Sequence, residues 1–367
     1  MPIKLAVVAD VHLDVPFAWA GPEVGRRWRT HVRDTLTNVV EVCLDRQVDA
    51  LLVAGDLYEH DRFSPDTVRF VEATFAKLDP LPVLVAPGNH DWLAPAGLYR
   101  QARFGPNVHV FATDRLEPVP LVDGCTLWGA AHLRPRGTDG FLDRFRVDRS
   151  GLHLALFHGS EVGGFALQGD DKHQHAPFRA AQVAEAGLAF AFVGHYHHPT
   201  RSDHHAYPGS PQPLSFGASA GGLLLADVSD DGAVALEHVD VAAAHLHDLQ
   251  VDVSECLSGT ELRDAVRGAV AGLEGAARVD LVGDLALDLE WHDDLLRDVG
   301  PGLDALKVRT SGLRPAVDLE ALAALDNVEG EFIRLGRDLP DLDDDIRRRV
   351  VLTGLRALSG RSDLEVP

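Results

Sequence analysis

Five short polar groups in this chain each follow directly on a short apolar run. They are Asp10-Val11-His12, Gly55-Asp56, Gly88-Asn89-His90-Asp91, the lone His158, and Gly194-His195-Tyr196-His197. The runs before them, such as Lys4 to Ala9 and Asp49 to Ala54, read as buried strands. This constrains the fold strongly. Strands that lie side by side bring their ends together, so residues far apart in sequence can share one site. Carboxylate, amide and imidazole groups are the ligands expected for Mn, Fe or Zn bound at neighbouring positions.

The order of elements supports that convergence. Val32, Leu36, Val39, Val40, Cys43 and Leu44 recur at helical spacing, which predicts a helix over about 29–46. Ser64-Pro65-Asp66 is a helix start, with serine as cap and proline in the first turn. Leu81 to Ala86 is a third strand. The βαβαβ order implies parallel strands. Shorter strands follow near 108–111, 126–129, 152–157, 204–207, 221–228 and 233–241, with a helix at 178–187. The expectation is an α/β chain with two packed mixed sheets flanked by helices, over residues 1–244. Residues 245–367 read as a smaller α+β domain. It has helices near 259–273, 319–325 and 343–358, and a strand, turn and strand over 279–290. The last helix carries an apolar stripe of Ile346, Val350, Val351, Leu355 and Leu358, which serves either its own domain or a partner.

Composition sets the surroundings. With 367 residues, 46% of them hydrophobic and 25% charged, the chain suits a soluble protein of more than one domain. No apolar run reaches the roughly 18 residues needed to span a bilayer, and the first residues lack the apolar core of a signal peptide. Cys43, Cys125 and Cys256 form no paired motif, which favours a reducing, cytoplasmic setting. The net charge of −22 counts against tight unaided binding of nucleic acid. Two basic clusters, Arg26-Arg27-Trp28-Arg29 and Arg134-Pro135-Arg136, run against that excess.

The chemistry follows from the ligand types. Asp10 and His12, two apart at an extended strand end, face one side and reach one ion. Asp56, after a glycine that permits a tight turn, is placed to bridge two ions. Asn89, His158 and His195 complete the ligands of the second ion, and His197 returns to the first ion. Two ions about 3.5–4 Å apart clamp a phosphate and lower the pKa of the water between them. His90 is left over as a catalytic imidazole, with Asp91 expected to orient it. His173, His175, His204 and His205 read as solvated loop residues, Asp170-Asp171 as a loop, and His198 as a neighbour of His197 that is not a ligand.

The ordered set Asp-x-His, Gly-Asp, Gly-Asn-His-Asp, His and Gly-His-x-His resembles the calcineurin-like metallophosphoesterases. Finer features are similar to the SbcD-type DNA repair nucleases. These are Asp10-Val11-His12-Leu13-Asp14 with Pro16-Phe17, Gly55-Asp56-Leu57-Tyr58, and Tyr207-Pro208-Gly209-Ser210-Pro211 leading to Pro213-Leu214-Ser215-Phe216. The resemblance implies a four-layer sandwich with a C-terminal capping domain, and manganese-dependent exonuclease and endonuclease activity on DNA. It also implies a homodimer and a partner ATPase of the SbcC type. By motif, Asp10, His12, Asp56 and His197 would hold one metal, and Asp56, Asn89, His158 and His195 the other. Two positions depart from the pattern. Asp14 stands where many members have glycine, and Glu59 where many have aspartate or histidine. Either extra carboxylate would alter ion preference or substrate access. Two other readings stand beside the nuclease: a phosphodiesterase for a small molecule such as a cyclic nucleotide, and a non-catalytic scaffold of the same fold. Complete ligands and His90 argue against the scaffold.

Overall fold

The computed structural model describes residues 2–122, 124–163, 174–218, 221–286, 289, 293–296, 298–340 and 342–360. The chain divides into two compact units, Met1–Ala244 and His245–Pro367.

The first unit runs β1 (Ile3–Val8), α1 (Pro22–Asp45), β2 (Ala50–Val53), α2 (Pro65–Ala76), β3 (Val83–Val85), a one-turn α3 (Leu98–Gln101) and β4 (Val108–Val110). It continues through β5 (Glu117–Val122), β6 (Cys125–Gly129), β7 (Leu152–His158), α4 (Ala180–Glu185), β8 (Phe190–Gly194), β9 (Thr200–Arg201), β10 (His205–Tyr207), β11 (Leu223–Val228) and β12 (Val234–Val239). Two six-stranded mixed sheets result, in the orders β12-β11-β1-β2-β3-β4 and β5-β6-β7-β8-β10-β9. The strands that lead into the candidate residues, β1, β2 and β3 in one sheet and β7 and β8 in the other, pair in parallel within each sheet. Contacts between the loops that follow them, such as His158 with Asp56 and the His195 amide with Asp10, bring the carboxyl ends of both sets together.

Alternation along the strands sets the layers. On β7, Leu154 and Leu156 join Leu5, Val7, Leu52 and Leu84 in the core between the sheets. Ala155 and Phe157 face the other way, into a second core with Phe141, Leu142, Val183 and Tyr207. Both faces of the central strands are thus buried, as parallel strands require. Helix α1 begins at Pro22, about two turns before the predicted start. The Arg26-Arg27-Trp28-Arg29 run breaks the apolar period, but Trp28 is buried while the arginines lie outward. Helix α2 starts as predicted, with the Ser64 hydroxyl accepting from the Thr67 amide and Thr67 returning the bond.

The second unit holds a parallel sheet of β13 (Leu246–Asp252), β14 (Gly275–Ala286) and β15 (Leu303–Ala316). Helix α5 (Gly259–Val270) packs Leu262, Val266 and Val270 against it. Helices α6 (Leu319–Ala323), α7 (Val328–Arg337) and α8 (Asp344–Leu358) follow. Of the range 279–290 read as strand, turn and strand, the part to Ala286 is one strand, and residues 287, 288 and 290 lie outside the described residues. Gly283 takes φ +106° without leaving the ladder, and its partner is Leu313. The stripe on α8 is split. Val351 and Leu355 pack with Ile333, whereas Ile346, Val350 and Leu358 are exposed. Among the described residues no helix is long and apolar enough to cross a membrane.

Candidate metal centre

The segment after β1 is not extended, contrary to the expectation for Asp10 and His12. Both residues are left-handed, with φ of 55° and 53°. The backbone turns because its amides are claimed by the neighbouring loop: Asp10 donates to the Gly55 carbonyl at 3.0 Å and His12 to the Asp56 carbonyl at 2.9 Å. Asp56 (φ 53°) and His195 (φ 118°) are also in this costly region. Such strain gathers where surrounding structure over-determines the backbone.

Close approach explains the glycines. A Cβ on Gly88 would stand 2.2 Å from Asp56 Oδ1, and one on Gly55 would stand 2.6 Å from His158 Nδ1. Only bare backbone lets these loops press together.

The side chains converge in two groups. In the first, His12 Nε2 lies 3.1 Å from His197 Nε2, 4.0 Å from Asp10 Oδ1 and 3.9 Å from Asp56 Oδ2. His197 Nε2 is 3.8 Å from Asp10 Oδ1. The His195 amide donates to both oxygens of Asp10. In the second, His158 Nε2 lies 3.2 Å from Asp56 Oδ2 and 3.1 Å from Asn89 Oδ1. The His195 ring stacks edge-on to His158 at 5.2 Å. Asp56 Oδ2 therefore faces both groups, while its Oδ1 accepts from the His90 amide at 2.8 Å. Asp10, Asp56 and His158 are fully or almost fully buried.

The electrostatics of this arrangement favour cations. His158 Nδ1 donates to the Ala54 carbonyl at 2.9 Å, so its Nε2 presents a lone pair. In the neutral ring that lone pair faces two oxygens, an arrangement that repels unless a positive charge, a proton or a metal ion, sits between them. Burial favours the neutral His158 ring, yet Asp56 and Asp10 outweigh it and raise its pKa to about 9. Burial lifts Asp10 to about 6, against the pull of His158. Burial also pushes His195 down to about 2, leaving an unprotonated ring whose Nε2 is buried with no hydrogen-bond partner among the described residues. Converging imidazoles, close carboxylates and a buried imidazole nitrogen without a hydrogen-bond partner among the described residues fit divalent metal ions. Three groupings of His and acidic ligand atoms lie within 4.8 Å: Asp10, His12 and His197; Asp10, Asp56 and His158; and His12, Glu59 and His90.

Asp91 corrects an expectation. Its oxygens do not serve His90. They accept from the Asp56 and Gly88 amides on one side, and from the Leu57 amide and the Tyr99 hydroxyl on the other. Asp91 ties the loops after β2 and β3 together. His90 is held by Glu59 instead, with Nδ1 3.0 Å from Oε2. That bond comes first among the influences that raise His90 to about 9. The short side chain of Asp91 is consumed by nearby amides, and only the tertiary fold brings Glu59 to the ring.

Other histidines also depart from the reading. His175 and His205 are buried, not solvated, and the His175 ring lies 5.2 Å from that of His195. His198 is exposed. His173, Asp170 and Asp171 lie outside the described residues. His132 was missed. It is fully buried, its Nε2 2.8 Å from the His158 carbonyl and its Nδ1 2.9 Å from the Thr138 hydroxyl. The available signal was its place after the apolar run of β6, the same placement that marked His158. The departures Asp14 and Glu59 differ in role. Asp14 accepts from Thr67 Oγ1 at 2.5 Å, at the start of α2, and Glu59 reaches His12 and His90.

A family model described as calcineurin-like phosphoesterase matches residues 3–199, more than half of the chain and all the candidate ligands. The chain belongs to the calcineurin-like phosphoesterase family. An uncharacterized metallophosphoesterase YhaO of Bacillus subtilis is 26% identical over 219 residues, covering 56% of this chain and 52% of the relative. The DNA double-strand break repair protein Mre11 of Methanopyrus kandleri is 27% identical over 273 residues, covering 65% of this chain and 57% of the relative. Mre11 of Aeropyrum pernix is 28% identical over 281 residues, covering 69% and 64%. This phosphoesterase thus spans between about half and two thirds of the length of these relatives. The stretches similar to SbcD-type proteins meet in space. Trp19 donates to the Leu214 carbonyl and packs its ring 6.0 Å from Phe17 and 5.0 Å from Phe216.

Proposed function

We propose that this phosphoesterase is a two-metal-dependent phosphodiesterase that cuts DNA, working as the nuclease subunit beside a coiled-coil ATPase of the SbcC type. The observation that carries the metal-dependent part is the single oxygen of Asp56 that faces both ligand groups. The nucleic-acid part is supported by relatives whose names are those of DNA double-strand break repair proteins. In this reading Asp10, His12, Asp56 and His197 hold one ion, and Asp56, Asn89, His158 and His195 the other. Manganese is the proposed metal. When bound, two such ions supply charge for the phosphate and activate water for attack.

The chain's own groups complete the chemistry. His90 Nδ1 is occupied by Glu59, so its Nε2 is the nitrogen that meets substrate. With a pKa raised to about 9 by the Glu59 bond, the ring is protonated at neutral pH and can give a proton to the leaving oxygen. Nearly half of the His90 side chain is exposed, as a substrate-facing group requires. The first unit would carry the reaction and the second would bind the partner. A homodimer in the cytoplasm completes the proposal.

The charge of −22 favours a second reading, a phosphodiesterase for a small substrate. One assay separates them. The chain is supplied with manganese and offered linear duplex DNA, a cyclic nucleotide and bis-p-nitrophenyl phosphate. Cleavage of the duplex supports the nuclease. Hydrolysis of the small substrates with intact duplex, even beside a co-expressed ATPase, supports the second reading. No hydrolysis at all leaves a scaffold.

A further inference from the structure

We infer that Glu59 is a positioning residue that fixes His12 as a metal ligand while it holds His90, so that one carboxylate sets both. The inference rests on the two-metal reading above and adds a residue to it.

The geometry is specific. Glu59 Oε1 lies 2.7 Å from His12 Nδ1, and Oε2 lies 3.0 Å from His90 Nδ1. The two rings meet edge to face at 4.9 Å. An ionised carboxylate only accepts, so both ring nitrogens that face it must carry hydrogen. In His12 this places the proton on Nδ1 and turns the lone pair of Nε2 toward Asp10, Asp56 and His197. A carboxylate behind a ligating imidazole fixes its tautomer and raises its basicity.

Glu59 is itself anchored. Its amide donates to the Leu13 carbonyl at 3.0 Å, and its carbonyl accepts from Arg62 and Phe63. Its side chain is 17% exposed, and that of His12 is 2% exposed. An exposed ion pair in high dielectric would fix little; this contact is shielded on the His12 side. Asp91 cannot substitute, because its oxygens are taken by the Asp56, Leu57 and Gly88 amides and Tyr99.

The test is calorimetric titration of manganese into the chelator-stripped full chain, beside Glu59→Gln. An amide offers one acceptor oxygen for two N–H donors, so one ring loses its partner. The expected result is two binding events in the wild type. In the variant one event is weakened by about 10- to 100-fold, the scale of a lost partner behind a ligand. The other event stays within about twofold and the melting temperature of the metal-free protein is unchanged. In nitrogen-edited NMR spectra the His12 Nδ1–H signal, protected in the wild type, is lost. Glu59→Asp, too short to span both rings, is expected to show the same single-site loss and replaces the first variant if that one does not fold. Two binding events of unchanged affinity in both variants overturn the inference, as does equal loss of both events. A wild type that takes up no manganese overturns the two-metal reading and this inference with it, whereas a two-site wild type with unchanged variants overturns the inference alone.

Discussion

The backbone amide of His90 donates to Oδ1 of Asp56 over 2.8 Å. This one bond sorts the two oxygens of the carboxylate. Oδ1 is committed to the loop after β3, and Oδ2 is left to face His158 on one side and His12 on the other. The bridging role proposed for Asp56 thus falls on a single atom.

Replacing Asp56 by asparagine tests that atom. A neutral amide can keep the bond to His90 but cannot offer charge to two ions. The variant is expected to retain fewer than two ions per chain and to lose hydrolysis. Elemental analysis of the purified variant decides it, and two ions per chain would rule the bridge out.

His90 has a different expected signature. His90→Asn removes the ring while leaving the backbone amide that holds Asp56. The rate should fall by about 10²-fold or more, the usual scale for a lost general acid, with metal content unchanged. A loss of metal would instead move His90 among the ligands.

Asp91 is expected to matter for stability first. It accepts from three buried amides and the Tyr99 hydroxyl. Asp91→Ala leaves these donors unsatisfied, at about 1–3 kcal/mol each, so a loss on the order of 3 kcal/mol or more is expected. Denaturant unfolding of the metal-free protein measures it. An unshifted midpoint combined with slow hydrolysis would return Asp91 to the role of orienting His90.

His132 sets an acid limit on stability. Burial, with His158 close by, lowers its pKa to about 3. The unfolded ring titrates near 6.5. Between those values the unfolded chain binds the proton more readily than the folded one, so stability rises with pH. The contribution is complete above about 6.5 and is lost progressively as pH falls toward about 3. Melting temperatures of the metal-free protein from pH 7 to 4 should fall less steeply in His132→Gln than in the wild type. Parallel slopes would show that His132 carries no such load.

The residues that gather at this edge of the sandwich were legible because each group stands beside its own apolar run. Asp10, Asp56, Asn89, His158 and His195 follow strands whose burial is written in their side chains, and parallel pairing then forces their ends together. Local signals of this kind survive in a linear reading. The capped start of α2 at Ser64 is another, since capping involves residues three apart.

What the sequence by itself determined, then, was the sandwich and the residues gathered at its edge. Continuous apolar runs and helix caps are local properties that can be read along the chain. Only the tertiary structure decided what each carboxylate does there. Asp91 is next to His90 in sequence yet points its oxygens into the loops, while Glu59, 31 residues away, holds the ring. His132 likewise reaches the His158 carbonyl across 26 residues. Hydrogen bonds are satisfied by whichever donor the fold brings within about 3 Å, and sequence distance carries no information about that.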